Sequence, residues 1–147
     1  GVAFIQPLRS ENCVVRYDEN KGATRRERWQ RVAEEAAKQC GRTMVPPVEP
    51  IRALKEWLMN FPLEAGLFLL YEREERASLR AWLRSQEGRR YIALVGPEGG
   101  FTPEEAATAQ AAGAVSVTFG PRILRAETAA LAALAAVMYE KGDWGTA

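Results

Sequence analysis

Histidine is absent from the 147 residues, and cysteine occurs only twice. Without an imidazole, no Ser-His-Asp or Cys-His nucleophile and no His-ligated zinc site can be built, and no metal site is expected. Cys13 and Cys40 stand far apart and form no CxxC pair, which suits two buried, reduced thiols better than a disulfide or a redox centre. Long apolar runs are missing too, and none approaches the roughly 20 residues of a membrane span. The Ala-rich stretch 128–138 is too short for one. The opening residues carry no basic segment ahead of an apolar core, so no signal peptide is expected. A cytoplasmic protein without membrane contact is the expectation. Net charge is nearly absent at +1, which excludes a generally basic nucleic-acid coat, so any RNA surface must be a local patch. The cations are mostly Arg, the better residue for bidentate phosphate and base contacts. The same Arg, Ala and Glu bias fits genomic composition equally well.

What is present describes an ordinary globular chain, 47% hydrophobic and 27% charged, and its length fits one domain over 1–147 with a single core. Short β-like runs alternate with helical runs, which predicts an α/β fold with a largely parallel sheet. Strands are expected at 2–7, 43–45, 66–71, 91–95 and 115–119, with a short extended piece at 12–15. A polar loop at 18–24 ends in Thr24 as an N-cap for a helix over 25–40. On that helix Trp29, Val32, Ala33, Ala36, Ala37 and Cys40 make a 3.6-residue apolar stripe, with Trp29 as a core residue, and Gly41 ends it. Further helices are expected near 51–60 and 77–85. Another runs over 103–112, capped by Thr102 with Pro103 at its first position and Glu104 and Glu105 in its first turn. The last helix, 127–139, has two apolar faces, one of Leu131, Leu134, Ala135 and Met138 and one of Ala130, Ala133 and Val137. Two such faces need two partners: the sheet, and the same helix of a second copy in a homodimer.

Two consecutive strand–loop–helix units end in Gly/Pro-rich loops, VGPEGGF at 95–101 and FGPRILRAET at 119–128. Loops at the carboxyl ends of parallel strands line the ligand crevice. Gly96, Gly99 and Gly100 permit close approach of a flat ring to exposed main-chain groups. A single loop of this kind reads best as a tight turn; two neighbouring ones with a shared Gly-Pro start favour a ligand site. A phosphate-binding GxxxxGK[ST] is absent, and the glycine spacing is not GxGxxG, so a P-loop or dinucleotide site is excluded.

At these loops the chain resembles the RsmE family, SPOUT-class enzymes that methylate N3 of a uridine in small-subunit (16S) ribosomal RNA. The matching stretches are LVGPEGGFTPEE at 94–105 and FGPRILRAETAALAAL at 119–134. WQRVAEEAAKQCGRTMVP at 29–46 also matches and, more weakly, GVAFIQPLRSENCVV at 1–15. The resemblance implies a trefoil-knotted α/β fold with helices on both faces of the sheet. It implies a homodimer formed through the C-terminal helix, and S-adenosylmethionine as the cofactor, held without a metal. The implied cofactor contacts are Leu70 and Tyr71, then Val95, Gly96, Pro97, Glu98, Gly99 and Gly100. On the second loop they are Gly120, Arg122, Ile123, Leu124, Arg125, Thr128 and Ala129. Much of that contact is main-chain, with the Leu124 side chain only packing. Ribose-methylating relatives typically carry Ser-Leu-Asn before the last helix; here that place holds Leu124-Arg125-Ala126, which favours a base as acceptor. Family members usually begin with an RNA-binding β-barrel, an opening strand and a helix that precede the residues matched here. The expectation is therefore a truncated chain with weak RNA affinity. The family also often carries Arg after Ser-Glu, where this chain has Asn12.

Uracil N3 is protonated at neutral pH, so catalysis must align N3 with the methyl group and stabilise the uracil anion. Arg125 is the expected donor to a uracil carbonyl, against the alternative of a helix-end salt bridge with Glu127. Glu127 is expected to position Arg125 or relay the proton, against the alternative of a carboxylate favoured by the helix dipole. Glu98 is expected near the sulfonium. Arg25, Arg28 and Arg31 offer cations to RNA phosphates or else form a solvated face. The resemblance places Glu35, Gln39 and Arg42 at the border of the uridine pocket. The partner is then small-subunit rRNA or the assembled subunit. Two other readings stay open: a knotted methyltransferase acting on another RNA nucleotide, and a non-catalytic module binding RNA or a small molecule.

Overall fold

The computed structural model describes residues 1–14, 18–61, 64–74, 77–88, 90–142 and 144, the side chains of 19 and 20 excepted. Among them the elements run in the order β1 (Leu8–Arg9), α1 (Glu19–Gln39), β2 (Arg52–Ala53), α2 (Leu54–Met59), β3 (Gly66–Leu70). They continue with α3 (Leu79–Ser85), β4 (Tyr91–Leu94), α4 (Pro103–Ala111), β5 (Val115–Val117) and α5 (Ala126–Lys141). Every described strand pair is parallel, in two pieces: β1 with β2, and a three-stranded sheet in the order β4-β3-β5.

β3 is the centre, and its side chains alternate between two cores as strand geometry requires. Leu67 and Leu69 face α2 and α4, packing with Leu54, Trp57, Leu58, Ala106 and Ala109. Phe68 points the other way, into Leu79 and Leu83 of α3 and Ala133 of α5. Helices thus cover both faces. That is why the run 66–70 is apolar without interruption, with Leu67, Phe68 and Leu69 all buried. Trp82 fixes α3, its ring 5.1 Å from Phe68 and 6.0 Å from Tyr91.

The N-terminal third departs from the expectations. Residues 2–7 form no continuous strand; Ile5 bridges Val48, and pairing resumes at Leu8 with Arg52. Prolines 46, 47 and 50 lack N–H donors; outside the β1–β2 ladder, the backbone bonds across this stretch are Ile5 N to Pro47 O, Glu49 N to Ile5 O and Arg52 N to Pro7 O. Residues 43–45 form no strand, and the second strand is Arg52–Ala53 instead. Residues 12–14 form no strand, and Val15 lies outside the described residues. The first helix starts at Glu19 rather than 25, because Asp18, not Thr24, caps it by accepting from Lys21 N at 2.8 Å. Its apolar stripe is only partly covered: Ala33 and Ala37 are buried, whereas Val32 is 62% exposed. Trp29 is half-buried. Neither cysteine is buried as expected; both are free, Cys13 half-buried and Cys40 exposed.

Candidate functional site

The order β4-β3-β5 means that the chain leaves β3 for one edge, then crosses to the other. Such a reversal is a switch point, where loops at the strands' carboxyl ends open around a crevice. Here the ends of β3, β4 and β5 release 71–72, 95–100 and 118–125 on the same side, and together with the first turn of α5 they enclose about 750 Å3. That volume lies within the roughly 300–1,000 Å3 of small-molecule sites.

Each wall has a local cause. In the first loop, Gly100 N donates to Pro97 O at 2.9 Å and closes a turn. Gly100 adopts φ +68°, the left-handed region that a side chain disfavours. Phe101 then plunges into the core at 5% exposure, and Thr102 starts α4 with a capping box. Glu105 N donates to Thr102 Oγ1 at 3.2 Å and Thr102 N to Glu105 Oε2 at 3.0 Å. In the second loop, Thr118 bridges Ser78 across α3's start, and its hydroxyl accepts from Gly120 N at 3.1 Å. Gly120, at φ +98°, turns the chain toward Arg125, the N-cap of α5.

Of the residues expected to hold the cofactor, Leu70, Tyr71, Val95, Gly96, Pro97, Glu98, Gly99 and Gly100 line this crevice. So do Gly120, Arg122, Ile123, Leu124, Arg125 and Ala129. Thr128 does not; at 100° per residue it turns away from the side shared by Ala126 and Ala129. Glu127 does line it, and no ion pair joins it to Arg125 among the described residues. The lining has an apolar floor, including Leu70, Val95 and Val117, and an exposed rim of three carboxylates, Glu72, Glu98 and Glu127, with two guanidiniums, Arg122 and Arg125.

The residues expected to meet RNA lie elsewhere. Arg25, Arg28 and Gln39 are exposed on α1, and none of them, nor Arg42, lines the crevice. Arg42 borders a separate apolar groove of about 540 Å3 between α1 and the stretches 2–7 and 46–48. Glu35 is engaged with Lys38, 2.8 Å away; that hydrogen bond holds the Lys38 ammonium above its usual pKa. Sequence reasoning missed Glu72 and Thr118, which line the crevice from just beyond two strand ends. The signals that pointed to them were that Glu72 directly follows the apolar run 66–71 and that Thr118 stands near the end of the run 115–119. Among the described residues no His, Cys, Asp and Glu group is placed to hold a metal ion. No described helix is long and apolar enough to cross a membrane.

The family model described as an RNA methyltransferase domain matches residues 1–138. A Neisseria gonorrhoeae ribosomal RNA small subunit methyltransferase E, solved bound to S-adenosyl methionine, superimposes with a TM-score of 0.88 at 41% identity, over 98% of this chain and 57% of that one. The Bacillus subtilis protein of the same name is 34% identical over 94% of this chain and 56% of its own length. The one from Synechocystis is 37% identical over 93% and 45%. The chain therefore spans about half the length of the curated relatives it matches.

Proposed function

The chain belongs to the RNA methyltransferase domain family, and from that premise we propose that residues 1–147 form one methyltransferase domain. Its reaction is transfer of a methyl group from S-adenosylmethionine to N3 of a uridine in 16S rRNA. The observation that carries this reading is the convergence of 95–100 and 118–125 on one crevice. The lining suits that cofactor chemically. Glu72, Glu98 and Glu127 offer carboxylates to a sulfonium and an ammonium, Arg122 and Arg125 offer guanidiniums to a carboxylate, and the apolar floor suits an adenine ring. Bound there, the cofactor supplies an electrophilic methyl group.

The chain's own residues supply orientation and charge. Arg125 starts α5 with its side chain free of any cap bond, so its guanidinium is available to donate to a uracil carbonyl and favour the anion. Glu127, in the first turn of α5 and on the crevice lining, takes the N3 proton; Glu98 would offer its carboxylate to the sulfonium. Arg25 and Arg28 carry exposed side chains on α1 and meet RNA phosphates, and Gln39 and Arg42, also outside the crevice, contact the RNA with them.

The same reading includes a trefoil knot. Support comes from β5 crossing to the far edge of β3 while α5 returns to pack against α3 and β4. It includes a cytoplasmic homodimer acting on small-subunit rRNA or the assembled subunit. Calorimetry with S-adenosylmethionine tests the core of it: one site per chain is expected, and an absence of heat overturns it. Mass mapping of the methylated nucleotide then tests the acceptor. A modification at another base or nucleotide would assign the chain to a different methyltransferase reaction.

A further inference from the structure

The loop that walls the crevice is held from behind by a segment far away in sequence. Residues 10–13 fold into a small turn, with Cys13 N donating to Ser10 O at 3.3 Å and Ser10 N to Cys13 Sγ at 3.4 Å. At its apex Asn12 Nδ2 donates to two successive carbonyls, Gly99 O at 3.0 Å and Gly100 O at 3.1 Å. Next to it, Glu11 N donates to Glu105 Oε1 at 2.8 Å, the same carboxylate whose other oxygen completes the capping box of α4. The approach is close enough that a Cβ on Gly99 would lie 3.0 Å from Asn12 Cβ. Gly99 and Gly100 line the crevice but Asn12 does not.

Two acceptors facing one side chain require a group with two donor hydrogens and no negative charge. At this length only an amide NH2 supplies both. We infer that Asn12 is a positioning residue for the cofactor loop: its amide pins the Gly99 and Gly100 carbonyls outward, so that the turn 97–100 keeps the shape that lines the crevice. It acts through the loop and touches no reacting atom. The effect on ligand affinity rests on the cofactor reading above; the effect on the loop does not.

The test uses Asn12→Asp, nearly isosteric but without donors, Asn12→Ala, and Asn12→Gln, which restores the amide one methylene further out. Hydrogen exchange without cofactor reads the Gly100 amide, which is bonded to Pro97 O, and calorimetry reads S-adenosylmethionine affinity. The expected result is faster Gly100 exchange and affinity about tenfold weaker in Asn12→Asp and Asn12→Ala, the scale of two exposed hydrogen bonds. Asn12→Gln is expected to recover part of both, and the unliganded thermal midpoint to stay unchanged throughout. Exchange and affinity equal to the parent overturn the inference, as does a midpoint that falls in step with affinity, which would make Asn12 a support of the whole fold. If the parent chain itself gives no heat, the cofactor reading fails. The exchange arm then still decides the latch: unchanged Gly100 protection overturns it, and faster exchange sustains it.

Discussion

A Cβ built on Gly100 would lie 2.5 Å from Glu72 Oε1, at a backbone φ of +68°. Those are separable penalties, because the clash involves a movable carboxylate and the dihedral does not. Gly100→Ala is therefore expected to weaken S-adenosylmethionine binding more than tenfold and to cost about 1–3 kcal/mol of stability. Adding Glu72→Ala should recover only the stability owed to the clash, as read by urea unfolding, while calorimetry reads no regain of affinity because a carboxylate of the crevice is lost with it. Arg125 is the residue on which chemistry depends most. Arg125→Ala is expected to lower single-turnover methyl transfer at saturating S-adenosylmethionine by about a hundredfold, the scale of losing one preorganised donor. Near-normal turnover in Arg125→Ala would remove Arg125 from the mechanism. At this scale the glycine-rich loops are legible in the sequence itself, because Gly-Pro turns after apolar runs carry their own backbone signature. Glu72 and Asn12 are not, since their roles come from neighbours 28 and 87 positions away.

Among the elements, α4 follows its local code most closely. Thr102, Pro103 and Glu105 occupy cap, first and third positions as the sequence reads. Thr102→Ala is expected to cost about 1 kcal/mol in chemical denaturation, the ordinary value of an N-cap. The start of α1 goes the other way. A polar stretch containing Gly22 reads as a loop, yet Asp18 captures Lys21 N and adds residues 19–24 to the helix. Local preference there is weak, and one cap settles it. Between elements, Arg84 of α3 donates to Glu140 of α5. That hydrogen bond, partly opposed by desolvation, holds the Glu140 carboxyl below its ordinary 4.5. A lowered folded pKa adds stability above the unfolded value and loses it as pH falls through the folded value. The thermal-midpoint difference between the parent and Arg84→Ala is accordingly expected to be present at neutral pH and to shrink once acid protonates Glu140.

Over the whole molecule, α5 is covered on one side and open on others. Ala133 is 1% exposed against the sheet, while Leu131 is 70% and Tyr139 68% exposed on other sides. If a second copy covers Leu131, as proposed, Leu131→Glu is expected to convert a dimer to monomers in sedimentation velocity, with the far-ultraviolet spectrum retained. A parent chain that sediments as a monomer would overturn the dimer.

Periodicity and turn chemistry alone determined the parallel α/β class, the strand at 66–71, the N-cap of α4 and the two loops, because each depends on residues within one or two turns of chain. What needed tertiary structure was which groups meet. The order β4-β3-β5 brings separate loops around one crevice, Asn12 sits behind Gly99 and Gly100, and the prolines at 46, 47 and 50 thin the pairing of the first strands. Those outcomes depend on strand order and register, which are set by packing over the whole chain and leave no mark in any short stretch of it.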